Sequence, residues 1–295
     1  MDIAITSPKP NGSSEKRPRR KRKADAFITA LLTVLAVLFI FPVLVVFMNS
    51  FKTKFSIMGS PFELPDASTF AGLDNYITGI RTAGIPMAFG RSLFITVGSV
   101  AVLVLLTSMT AWYIVRSGSA LCKMLYNLFL FSMIVPFQMV MYTMTYVVTR
   151  VRLNSPAGII LVYLGFGAGM SVFMLAGFVK SVPYELEEAA LIDGCTPLQT
   201  FFRIVLPILK PTAVTVAILN AMWIWNDYLL PYLILGTGSK TLPVAIQIAM
   251  QGAYGSVNWG GFMAMLVLAI LPIIIFYLIC QRYIIEGVIA GAVKG

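Results

Sequence analysis

The chain alternates long apolar runs with short polar stretches. Uncharged runs cover residues 26–51, 92–115, 124–149 and 153–179. Each exceeds the roughly 20 residues that a helix needs to cross about 30 Å of hydrocarbon. A fifth apolar segment runs from about Pro211 to Leu235, interrupted by Asp227, and a sixth from about Gly261 to Tyr283. The pattern predicts an all-α polytopic membrane protein with six transmembrane helices, at about residues 26–50, 92–115, 124–149, 155–180, 211–235 and 261–283. The first run is too long for a signal h-region of about 7–15 residues and no A-x-A site follows, so it is expected to be a retained span. Pro42, Pro136, Pro231 and Pro272 fall inside predicted spans, which bundles tolerate because neighbours satisfy the freed carbonyls. Small residues in "GFGAG", Gly165 to Gly169, suit close helix packing, with a solute-lining role as the alternative.

The polar stretches set orientation. Residues 1–23 are polar and basic, and a disordered cytoplasmic tail is expected there. With the N-terminus inside, the inner side also holds Arg116, Lys123, Lys180, Arg203, Lys210, Arg282 and Lys294. The outer side holds Lys52, Lys54, Arg81, Arg91, Arg150, Arg152 and Lys240. The excess of Lys and Arg, most of it in the tail, predicts an N-in, C-in topology within residues 24–295. Residues 52–91 and 236–260 then form long outer loops, and residues 180–210 the long inner one.

Composition agrees and removes other classes. Of 295 residues, 58% are hydrophobic and 12% charged, against about 25% charged in soluble domains. The net charge of +10 is concentrated in the tail, a cytoplasmic flank rather than a nucleic-acid surface. There is no His, so His-ligated metal and His general-base chemistry are absent. Cys122, Cys195 and Cys280 show no CxxC spacing and lie near the reducing side, so no disulfide is expected. "GTGSKT", Gly236 to Thr241, superficially looks like a phosphate loop. A Walker A motif, however, needs Gly directly before the Lys, where Ser239 stands, and a preceding strand.

The inner loop is the informative segment. In "PYELEEAALIDG" Pro183 sits near a helix N-terminus, and Glu185, Glu187 and Glu188 fall in the first turns, where the helix dipole favours acids. Gly194 suits a C-terminal stop. "TPLQTFFRI" restarts: Thr196 can cap and Pro197 fits the first helical position. Leu198, Phe201 and Phe202 are spaced to share a face, and Pro207 and Pro211 mark the return to the membrane. The result is a helix–turn–helix too short and polar to span. An amphipathic helix resting on lipid would carry a basic polar face. This one is acidic, and Ala189 and Ala190 permit close approach of another backbone, so a docking element for a cytosolic partner fits better.

At these residues the chain resembles a known family. Glu188, Ala189 and Ala190, then Gly194, then Ile204, Leu206 and Pro207 are similar to the EAA loop of bacterial ABC importer permeases. Cys195 stands where that family more often has Ala or Ser. The C-terminal "GVIAGAVKG" and "WNDY" resemble MalG-like, maltose-type sugar permeases. The resemblance covers roughly residues 27–295. It implies a type I ABC importer permease fold in the bacterial inner membrane, with coupling loop 183–207 seated on an ATPase subunit. Glu187, Glu188, Ala189, Ala190, Asp193, Gly194, Ile204, Leu206 and Pro207 would form that contact. It further implies a non-catalytic subunit that binds no cofactor itself, with ATP and Mg²⁺ on two cytosolic ATPase subunits. The remaining partners would be a second, different permease subunit, an extracytoplasmic solute-binding protein and membrane lipid, with no nucleic acid.

A sugar or oligosaccharide is the solute that the resemblance implies; a glycerol-phosphate-like solute is the alternative within the class. Trp223, Trp225, Asn226, Asp227 and Tyr228 offer rings and hydrogen-bonding groups for a sugar path, or an interfacial aromatic belt. Tyr254, Asn258 and Trp259 in the second outer loop are candidate contacts for the binding protein. The alternatives from other classes are an ion-coupled transporter and a membrane-embedded enzyme. Ion coupling usually needs ionisable groups within the spans. Asp227 is the one candidate, roughly 24 Å along the helix from Pro211 and near the outer interface. No paired inner carboxylates or activated nucleophile supports an enzyme.

Overall fold

The computed structural model describes residues 19–250 and 257–292. Among them regular structure is helical, apart from one isolated bridge between Lys52 and Phe70. The first span is α1 (Arg19–Asn49). It starts inside the expected disordered tail, so Arg19–Lys23 prolong the helix; residues 1–18 lie outside the described set. Residues 26–44 are all exposed, although α1 packs on α13 (Trp259–Ala292).

Between them lies a bundle built on α7 (Gly158–Val179), which is apolar on every side. It packs against α4 (Ile85–Ser117), α5 (Ala120–Ile134) and α10 (Leu206–Asn226). Leu103, Val172, Leu175 and Val216 form the centre of that contact, each fully buried. Glycines make it possible. A Cβ on Gly169 would stand 2.6 Å from Ser132 Oγ and 2.8 Å from the Phe129 carbonyl, and one on Gly167 would meet Leu103. Gly165 has nothing nearby. The close-packing reading of "GFGAG" therefore holds for two of its three glycines. Asn220 of α10 donates to Ser171 Oγ of α7 at 3.2 Å and to the Val216 carbonyl at 2.9 Å, a polar clasp inside an apolar bundle.

Two spans depart from expectation. The third was expected to run unbroken over 124–149. It is instead α5 and α6 (Phe137–Arg150), bent by 108° at Val135 and Pro136. Pro136 has no N–H to continue the helix, and it holds Val135 extended (φ −75°, ψ 115°). With this pair as one crossing, the chain crosses six times. The fifth was expected at 211–235 with Pro207 and Pro211 at its start. Instead a continuous rod runs from Pro197 to Asn226: α9 (Pro197–Thr200), a π-helical turn at Phe201–Val205, then α10. Pro207 and Pro211 lie within the rod. The turn is widened just ahead of Pro207, which cannot donate to the Arg203 carbonyl. Residues 229–235 form a separate helix, α11 (Leu229–Leu235), packed on α6.

The outer loops are folded caps. The first carries α2 (Lys54–Gly59) and α3 (Asp74–Ala83). Asn75 Nδ2 donates to the Ser50 and Lys52 carbonyls, and the buried Lys52 donates to the Ser60 carbonyl, each within 2.9 Å. Asp66 accepts from Ser68 and Thr69, which holds its carboxyl down at about 2. The second carries α12 (Leu242–Met250), whose Leu242, Val244, Ala245 and Ile246 are buried. The remaining element, α8 (Glu185–Ile192), lies in the inner loop.

Two outcomes follow. Gly169→Val is expected to cost about 1–3 kcal/mol through overpacking, read as a lower melting temperature in detergent, with Gly165→Ala near neutral. A cysteine at residue 66 should react with an impermeant thiol reagent from outside, and one at 188 only from inside.

Candidate functional site

The inner loop folds as its residue types dictate. Acids lead α8, and Gly194 ends it at φ +80°, a left-handed geometry that glycine adopts without penalty. The turn lets Gly194 N–H reach the Leu191 carbonyl at 3.1 Å and Cys195 N–H the Ala190 carbonyl at 2.9 Å, closing the helix in a Schellman motif. Thr196 then caps the rod: its Oγ1 accepts from Gln199 N–H at 3.3 Å, and Gln199 Oε1 accepts from Thr196 N–H at 2.8 Å. This is a full capping box. The loop is therefore a rigid corner joined to span five.

Its expected contact residues divide into two sets. Glu188, Ala189, Asp193, Gly194 and Pro207 are exposed, and Ile204 and Leu206 half-buried. Leu186, Leu191 and Ile192 join them with 46%, 50% and 86% of their surface exposed. Glu187 and Ala190 instead turn inward. Glu187 meets Arg116 and Trp112 of α4, two residues that the sequence reading did not select for this site. The shared apolar face expected of Leu198, Phe201 and Phe202 also divides. Phe201 is fully buried, whereas Leu198 and Phe202 stay exposed, because the π turn begins at Phe201 and shifts the register.

At the outer end, three of the five expected path residues converge. Trp225, Asn226 and Tyr228 line a cleft of about 260 Å³, together with Gln247 of α12 and Phe262 of α13. Gln247 had no sequence signal, since only the placement of α12 brings it there. Trp223 turns elsewhere, edge-on to Tyr163 of α7 at 5.5 Å. Asp227 also lies outside the lining of that cleft. Its Oδ2 accepts from Tyr163 Oη at 3.0 Å, and its Oδ1 from Leu229 N–H at 3.0 Å. It sits at the break between α10 and α11 and caps α11, which is a structural task. An apolar cleft of about 730 Å³ lies below, between α4, α10 and α13, lined by Phe89, Thr96, Ala221, Trp225 and Phe276 among others.

In the second outer loop Asn258 starts α13, with Gly261 N–H donating to its Oδ1 at 3.1 Å. Trp259 packs edge-on against Phe262. Tyr254 lies outside the described residues. No cluster of three His, Cys, Asp or Glu suited to a metal occurs among the described residues, and the three cysteines are free.

A bundle of five long apolar helices and one bent helix pair, with a capped helical corner in its inner loop and a cleft bearing Asn226, Tyr228 and Gln247 at its outer end, has the build of a multi-pass membrane protein. Residues 103–289 match the family described as binding-protein-dependent transport system inner membrane component, and the chain belongs to that family. It is 40% identical to the probable starch degradation products transport system permease protein AmyC of Thermoanaerobacterium thermosulfurigenes, over 90% of this chain and 96% of that one. It is 38% identical to the multiple sugar-binding transport system permease protein MsmG of Streptococcus mutans, over 90% and 95%. The fold matches a chain in the crystal structure of a bacterial ABC transporter involved in the import of the acidic polysaccharide alginate. That match has a TM-score of 0.76 at 18% identity and covers 90% of this chain and 98% of that one.

Asp227→Ala is expected to destabilise the protein by about 1 kcal/mol or more through loss of the α11 cap, read as a lower melting temperature. Asp227→Asn, which keeps the acceptor, should leave transport and its pH dependence unchanged.

Proposed function

We propose that this chain is one of two different permease subunits of an ATP-driven importer for a sugar or oligosaccharide. An extracytoplasmic binding protein delivers the solute to the outer face. Two cytosolic ATPase subunits hold ATP and Mg²⁺ and close on each other, and the inner loop carries that motion to the spans. The pathway then alternates between inward and outward openings.

The observation that carries this reading is the exposed face of α8 and its turn. Acids at Glu185, Glu188 and Asp193 surround Leu186, Leu191 and Ile192. An apolar centre with a charged rim is the anatomy of a protein interface, and the capped corner transmits a push without bending. The sugar assignment is supported by the names of the relatives and by the cleft at Trp225, Asn226, Tyr228 and Gln247. Its ring faces and amide groups are those that sugar hydroxyls and C–H faces engage. The outward-facing α1 leaves an apolar helix surface for lipid and for the second permease. Asn258 and Trp259 border the loop tip on the outer side, where a binding protein would approach.

Glu188→Lys reverses a charge on the docking face. In a complex reconstituted with its ATPase and binding protein, it is expected to cost about 2 kcal/mol or more of docking energy, roughly 30-fold in ATPase affinity. Binding-protein-stimulated hydrolysis and uptake should fall together. Unchanged uptake in the assembled complex would remove the docking role.

A further inference from the structure

The cytoplasmic end of α4 reaches into the inner loop from the side. Glu187 of α8 keeps 3% of its surface exposed, and carboxylates are almost never buried so far unless paired. Both of its oxygens are engaged. Arg116 Nε donates to Oε1 at 2.8 Å and Nη2 lies 2.7 Å from the same oxygen. Trp112 Nε1 donates to Oε2 at 2.9 Å. Arg116 also donates to the Val182 carbonyl at 3.0 Å, ahead of α8, and lies 5.5 Å over the Tyr184 ring. The Trp112 ring packs on Phe201, past α8, at 5.5 Å. Two residues one turn apart on α4 thus grip the loop before, on and after the docking helix.

A buried ion pair is weak evidence for stability, because desolvation offsets its attraction; it does fix geometry. The chain joins the inner loop to α7 and α10, while Arg116 lies 71 residues from Glu187 in sequence. This cluster adds α4 to what the loop holds, and α4 forms one wall of the 730 Å³ cleft. We propose that Trp112, Arg116 and Glu187 form a clamp through which displacement of α8 is transmitted to α4 as well as to α7 and α10. They act as positioning residues, and the clamp rests on the coupling reading of α8.

The test uses the full complex, with partner permease, ATPase subunits and binding protein, carrying Glu187→Gln, Arg116→Lys or Trp112→Phe. Glutamine keeps the shape and loses the charge. Lysine lacks the fork that reaches Glu187 and Val182 together. Phenylalanine keeps the ring and loses the donor. Complex yield and basal ATP hydrolysis should persist, while solute moved per ATP falls at least about fivefold in Glu187→Gln, within the range of allosteric couplings. A wild-type ratio in assembled Glu187→Gln overturns the clamp. So does a proportional loss of yield, hydrolysis and uptake at a constant ratio, the mark of a purely structural role. If Glu187→Gln does not assemble, the other two variants carry the measurement; if none assembles, the cluster is a folding core and the clamp is overturned. Glu188→Lys in parallel separates the layers. If it lowers hydrolysis and uptake together while the clamp variants keep the wild-type ratio, the clamp alone falls; if it too is silent, the coupling reading falls with it.

Discussion

Lipid offers no hydrogen-bond partners, so a backbone group freed inside the membrane must find one within the protein. The structure is organised around where that demand is met. At Asp227 a carboxylate takes over the N–H groups at the start of α11, and the chain can stop one helix and start another. At Thr196 and Gln199 a reciprocal cap does the same at the head of the rod. Within spans, Thr107, Ser108 and Ser171 return their hydroxyls to carbonyls one turn back, which hides polarity without breaking a helix. Apart from the bend at Pro136, which interrupts a crossing midway, breaks lie toward the ends of the bundle, and continuity is kept where α7 makes its closest contacts.

That division explains which parts were legible in the sequence. Hydrophobic runs located the crossings, because length and charge content decide membrane insertion. Turn chemistry located Gly194, Thr196 and Pro197 to the residue, because those conformations depend on local geometry. The bend at Pro136 and the rod through Pro207 and Pro211 were misjudged for one reason. A proline within an apolar run can kink, break or be absorbed, and neighbouring helices decide among these. The interior partners of the loop were invisible for another. Arg116 looked like one more flanking cation, and nothing in its spacing from Glu187 encodes that they meet.

The geometry also bears on the competing transport class. Ion coupling needs an ionisable group free to take up and release its ion along the path. Asp227 is committed to Tyr163 and to the start of α11, so its carboxyl serves architecture. The polar groups that remain at the outer cleft, the amides of Asn226 and Gln247 and the hydroxyl of Tyr228, are neutral, which suits a neutral, hydroxyl-rich cargo.

The outward-facing first helix has a consequence for how the protein is made. Its main helix packing is against α13, which follows the other described helices in the chain. Until α13 is made, α1 must therefore reside in lipid without that contact. It is the most apolar of the five unbroken spans, which equips it to do so. The polar clasps of α4, α7 and α10 form among segments that emerge later. The order of emergence thus matches the order of self-sufficiency: the segment that waits longest for a neighbour is the one most at home without one.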